Sequence, residues 1–89
     1  MAKVYTGTHT DTIININKAD GFNYVSIAVI STSTAGATIL GTASLSNGTV
    51  STGATIEAGG SVSLVRQNDR AIELTITIPS GCTISLVCE

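Results

Sequence analysis

The chain has no tryptophan, one proline, one histidine, two cysteines and only three aromatic residues in 89 positions. Each shortage narrows the possible chemistry. With a single histidine, a nucleophile–base pair of the serine-hydrolase kind has one candidate base, His9, and that residue lies in a polar N-terminal segment poorly suited to holding a base within hydrogen-bond reach. With two cysteines, one histidine and no further Cys or His at ligand spacing, a zinc site is not expected. Three rings, Tyr5, Phe22 and Tyr24, of which at least one belongs in the core, are fewer than the several stacking platforms a sugar-binding groove normally displays, which disfavours that function without excluding it.

Charge is equally scarce. Charged residues make up 11% of the chain and the net charge is -2, against a usual charged share of about 25%. No basic field exists to hold phosphates, so nucleic acid is not an expected partner. The carboxylates Asp11, Asp20, Glu57, Asp69, Glu73 and Glu89 are spread out, without the tight spacing of a calcium loop, and read as separate solvated charges. Long apolar runs are also missing. The best stretch, residues 25–30, is interrupted by Ser26 and falls far below the roughly 18 residues of a membrane helix. Residues 1–3 lead into polar sequence without an apolar signal region, so synthesis in the cytosol is expected.

What remains is rich in Thr, Ser, Ile, Val and Gly and poor in helix formers, a composition that favours strands. At 89 residues there is room for one core only, and a chain this short buries roughly 60 to 65% of its unfolded surface, so contacts with neighbours would add needed stability.

Apolar residues alternate with polar ones with a period of two along most of the chain. Residues 1–10 read as an N-terminal arm or irregular edge strand, and residues 11–89 as a single domain. Residues 12–17 alternate clearly, and the turn formers of residues 18–21 follow, with Gly21 free to take positive φ. Residues 24–31 are apolar on both faces and so predict a central strand. A small polar loop to Gly36 precedes a strand over residues 37–45. Asn47-Gly48 predicts a type I′ hairpin, and the same site explains the glycosylation-like Asn47-Gly48-Thr49 pattern. Short strands are expected over 54–57 and 61–66, then a polar corner at 67–70. The clearest strand covers 71–78, with Ile72, Leu74, Ile76 and Ile78 on one face. Pro79-Ser80-Gly81 suits a type I turn into a last strand over 82–88, with Ile84 and Leu86 inward. The repeated Gly-Ala-Thr-Ile at Gly36 and Gly53 is attributed to composition.

This pattern predicts an all-β fold, a small antiparallel β-sandwich of immunoglobulin-like or jelly-roll-like type with seven or eight short strands, turns coming about every eight to twelve residues. Cys82 and Cys88 would share a face of one strand about 20 Å apart, too far for a disulfide, leaving free thiols or an intermolecular bridge at Cys88.

The segments Ile56-Glu57-Ala58-Gly59-Gly60-Ser61-Val62-Ser63-Leu64 and Ile76-Thr77-Ile78-Pro79-Ser80-Gly81-Cys82-Thr83-Ile84 resemble small all-β accessory proteins of bacteriophage particles, the capsid decoration proteins and fibre or tail modules. The resemblance covers roughly a third of the chain and transfers no functional residue. It implies a non-enzymatic subunit of a virion, made in the host cytoplasm, needing no cofactor and acting by contact with copies of itself or with a major capsid or tail protein. The candidate contact residues are Tyr5 and His9 in the arm, and Arg66, Asp69 and Arg70 at the corner that holds half of the chain's basic residues. A cell-surface adhesion or carbohydrate-binding sandwich is the alternative expectation.

Overall fold

A computed structural model describes residues 5–44, 50–51, 53–66 and 72–89. The elements are β1 (Gly7–Ile16), a 3-10 turn η1 (Lys18–Asp20), β2 (Tyr24–Val29), β3 (Ala37–Ser44), β4 (Val50–Ser51), β5 (Ala54–Ile56), β6 (Ser61–Val65) and β7 (Glu73–Cys88). Every pairing is antiparallel. The fold is all-β, as the alternation requires. The expected Asn47-Gly48 hairpin falls outside the described residues.

The strands make one hydrogen-bonded sheet in the order β4-β3-β7-β2-β6, with β1 on β7 and β5 on β3. It curls into a half-barrel, where the sequence pattern predicted two facing layers. The reason lies in β7, which runs for 16 residues and serves as the spine. Its first half pairs with β3 through residues 73–77, and its second half pairs with β2 through residues 84–88. β1 follows it along the opposite edge across both halves. One long strand therefore carries neighbours that a sandwich would divide between layers.

The predicted turn at Pro79-Ser80-Gly81 is not formed, since the strand continues through it. The ladder with β1 pairs Thr10 with Thr83 and Thr12 with Ile78, so Asp11 alone stands against residues 79–82. A bulge of this kind tolerates a proline, which has no N–H to give to a ladder. The displaced backbone is satisfied by the β2–β3 loop. Thr34 N donates to the Gly81 carbonyl (2.8 Å), Ile30 N donates to the Thr83 carbonyl (3.0 Å), and Thr83 N donates to Ser33 Oγ (3.1 Å). Residues with turn propensity were here recruited to bend a strand, because partners distant in sequence hold both of its edges.

The inner face carries the core. Ile14, Ile76 and Ile39 are opposed in one row across β1, β7 and β3, and Val25, Leu64, Ile84 and Leu86 are fully buried beside them. Phe22 is the buried aromatic. The register shift at Asp11, where the extra residues lie on β7, also switches the phase of β1. Beyond it Ile14 and Ile16 point inward, whereas before it His9 is opposite the buried Ile84 and shares that inner face. Gly7 to Thr10 are thus continuous with β1, and no strand boundary falls at residue 10.

Between β1 and β2 the chain reverses through η1. Asp20 N donates to the Asn17 carbonyl, and Asn17 N in turn donates to Asp20 Oδ2, each at 2.9 Å. Gly21 closes the turn in the left-handed region, φ 70°, a conformation that costs glycine nothing sterically.

Candidate functional site

Two of the residues singled out from sequence come together, and both are turned inward on the fold. The Tyr5 hydroxyl lies 2.9 Å from the Asn15 carbonyl and 3.1 Å from Asp20 Oδ2, and its one proton serves these two acceptors. Its ring meets Phe22 edge-on, with centroids 5.9 Å apart and an angle of 62° between planes, the geometry aromatic pairs favour. His9 Nε2 hydrogen-bonds the Tyr5 carbonyl, which requires that nitrogen to carry the proton. Tyr5 and His9 therefore clasp the N-terminal segment to its own sheet.

Arg66 is exposed at the end of β6. Its Nη1 donates to Asn23 Oδ1 (3.3 Å) and its backbone N to the Asn23 carbonyl (2.8 Å). Asp69 and Arg70 lie outside the described residues, so of the polar corner only Arg66 can be placed.

Three residues take part in this end of the molecule in roles that the sequence pattern did not indicate. Asp20 is 7% exposed and holds both the Asn17 amide and the Tyr5 hydroxyl, so it is not the solvated charge its spacing suggested. Thr6 Oγ1 accepts from Cys88 N (3.0 Å) and lies 3.4 Å from the Cys88 carbonyl, a side chain completing the ladder where β1 has not yet begun. Cys88 itself is half-buried, and burial together with the Asp20 charge pushes its thiol up to about 11. Cys82, fully buried on the inner face, is also raised by burial. Both are free thiols that stay protonated at neutral pH, the opposite of an activated nucleophile.

The outer face has a different character. Thr8, Ser85, Ala28 and Ser61 form one row across β1, β7, β2 and β6, and Val87, Ser26 and Ser63 form the next. On the other half of the spine, Ile13, Thr77 and Thr38 are opposed, followed by Asn15, Thr75 and Leu40. With strands about 4.8 Å apart, this is a regular grid of small, uncharged side chains. Tyr24 lies at one end of it, its hydroxyl 3.3 Å from Ser63 Oγ, and hydrogen bonds to Ser63 and then Ser26 lower its pKa. Isolated apolar side chains stand on the surface: Ile13 is 60% exposed, Leu40 47%, Ile30 42% and Val65 40%.

Among the described residues no three His, Cys, Asp or Glu side chains converge as a metal site would need, and every buried side-chain nitrogen or oxygen has a partner. No described helix is long and apolar enough to cross a membrane. None of the family models, curated proteins or solved structures compared with the chain matches it.

Proposed function

We propose that the chain is a non-enzymatic structural subunit of a virus particle, a capsid decoration or a fibre or tail component, that works by contact with copies of itself or with a major capsid or tail protein. The observation that carries this reading is the outer sheet face, a grid of Thr, Ser and Ala broken by exposed Ile13 and Leu40. Small uncharged side chains can be covered by a protein neighbour at little desolvation cost, and apolar side chains gain from it. The same reading takes the curled sheet as a variant of the two-layer immunoglobulin-like or jelly-roll-like plan, opened because β7 is shared. Sedimentation velocity over a wide concentration range tests it. Concentration-dependent association, or binding to particles lacking this subunit, is expected; a chain that stays monomeric and binds no particle overturns the reading.

The second reading, a carbohydrate-binding module, draws support from Tyr24 beside Ser63 and Ser26 on the outer face. It requires glycan binding that Tyr24→Ala abolishes. Tyr5 does not serve that reading, because its ring packs on Phe22 and its hydroxyl is held by Asn15 and Asp20.

A further inference from the structure

We infer that residues 5–10 form a strap that opens and closes as one piece about Asp11, while residues 12–16 of the same strand stay with the core. This goes beyond the functional reading above and does not depend on it.

The two runs of β1 are held in different ways. Residues 7–10 pair with residues 83–86 of β7, and residues 12–16 pair with residues 74–78. Between them Asp11 takes left-handed backbone, φ 48°, which a non-glycine residue adopts at a cost. Residues 79–82 of β7 have no ladder partner on β1, so Asp11 is a break in the pairing and a natural pivot. The second run contributes the buried Ile14 and Ile16. None of residues 5–13 is buried; Tyr5 and His9 are half-buried and the others exposed. Lifting the strap therefore uncovers little apolar surface, and burial of such surface is what makes unfolding costly.

What keeps the strap down is a small set of polar ties beside its ladder. The Tyr5 hydroxyl meets the Asn15 carbonyl and Asp20 Oδ2, and its ring meets Phe22. Thr6 Oγ1 accepts from Cys88 N, and Thr10 Oγ1 donates to the Cys82 carbonyl (2.7 Å). The bond from His9 to the Tyr5 carbonyl is internal to the strap, so it travels with the strap and helps it move as a unit.

The sheet beneath stands without it. Residues 84–88 of β7 are paired on their other edge with residues 25–29 of β2. The carbonyls of Gly81 and Thr83 are held by Thr34 N and Ile30 N. Opening thus bares one edge of β7 over residues 83–86 and leaves the remaining ladders in place. An opening of this kind lies well below global unfolding in free energy.

Amide exchange in the parent and in Ile76→Val decides it. In the parent, the protected amides of residues 7–10 should exchange together, at least about tenfold faster than those of residues 12–16. Low urea should leave the first group nearly unchanged and speed the second, because the slope follows the surface exposed. Ile76→Val weakens the core, in closed and opened chains alike, so it should speed residues 12–16 about fivefold and leave residues 7–10 at the parent rate. A matching fivefold rise at residues 7–10 would mean that β1 opens only as a whole and overturns the strap. Absence of any protection at residues 7–10 overturns it too, since no closed state would then exist.

Discussion

Asp11 and Gly81 both take left-handed backbone, φ 48° and 88°, on the two sides of the one irregularity in the β1–β7 ladder. The pair sets the curl of the sheet, since four residues of β7 must be accommodated opposite one of β1, and such bulges increase local twist and bend. Gly81 is also tightly approached: a Cβ there would run into Thr34 Oγ1. Gly81→Ala is expected to lower stability by about 2 kcal/mol, from left-handed strain and the collision together. Thr34→Ala in the same chain should restore only the part due to the collision. Urea denaturation of the two single variants and the double variant measures this, and an unchanged midpoint for Gly81→Ala rules the account out.

Asp11 offers the reciprocal test. A β-branched residue at positive φ is strongly disfavoured, whereas glycine is at ease there. Asp11→Val should cost about 1–2 kcal/mol, while Asp11→Gly should be neutral or slightly stabilising. If valine is tolerated as well as glycine, the bulge is not held at that conformation.

These positions also show where sequence reasoning reaches its limit. The buried alternation of Ile72, Leu74, Ile76 and Ile78 is plain in the sequence because it depends only on a period of two. Pro79-Ser80-Gly81 misleads because the same residues serve a tight turn and a bulge, and the choice between them is made by β1 and the β2–β3 loop, dozens of residues away. Nothing in Thr10-Asp11-Thr12 marks a phase change, which becomes visible only once Ile84 is known to oppose His9. Asp20 looked like a turn residue, and it is one. Its second role appears only when Tyr5, 15 positions earlier, folds over it.

That clasp gives a third expectation. Tyr5→Phe keeps the edge-on contact with Phe22 and removes the hydroxyl, leaving Asp20 Oδ2 with the Asn17 amide. The loss should be about 1 kcal/mol, the usual net worth of such a hydrogen bond. Tyr5→Ala should cost roughly 2–3 kcal/mol, since packing goes as well. Faster amide exchange at residues 7–10 in both variants would trace the effect to the start of β1; exchange identical to the parent would show that the clasp does not hold it.

Cys88 supplies a pH dependence whose sign follows from its surroundings. Burial first, and the Asp20 charge second, raise the thiol from an ordinary 9.0 to about 11 in the folded chain. The protonated form is thus preferred in the fold. The resulting stabilisation is complete below pH 9, where folded and unfolded chains both keep the proton, and is lost as pH climbs from 9 towards 11 while the unfolded chain alone ionises. The urea midpoint should fall across that window, and Cys88→Ser should flatten much of the fall. Cys82, raised in the same direction, accounts for a remaining slope. A thiol reagent at neutral pH should label Cys88 far more slowly in the native chain than in urea; equal rates would mean that the thiol is neither buried nor raised.

The strongest stability effect is expected at the centre of the row formed by Ile14, Ile76 and Ile39. Ile76 is opposed on both sides, by Ile14 of β1 and Ile39 of β3, and is itself fully buried, as is Ile39. It therefore joins the strand that follows the whole spine to the strand that pairs with only half of it. Ile76→Ala removes the methyl groups that fill the curl at this point, and a single-layer sheet bent on itself has little room to collapse around the gap. A loss of about 3–4 kcal/mol is expected, against about 1 kcal/mol for Ile76→Val. For a domain of this size, whose whole stability is on the order of 5–10 kcal/mol, alanine should bring the chain close to unfolding at physiological temperature. A much smaller loss, near that of Ile13→Ala on the exposed face, would mean that the inner surface of the half-barrel is not the packed core on which the rest of the fold depends.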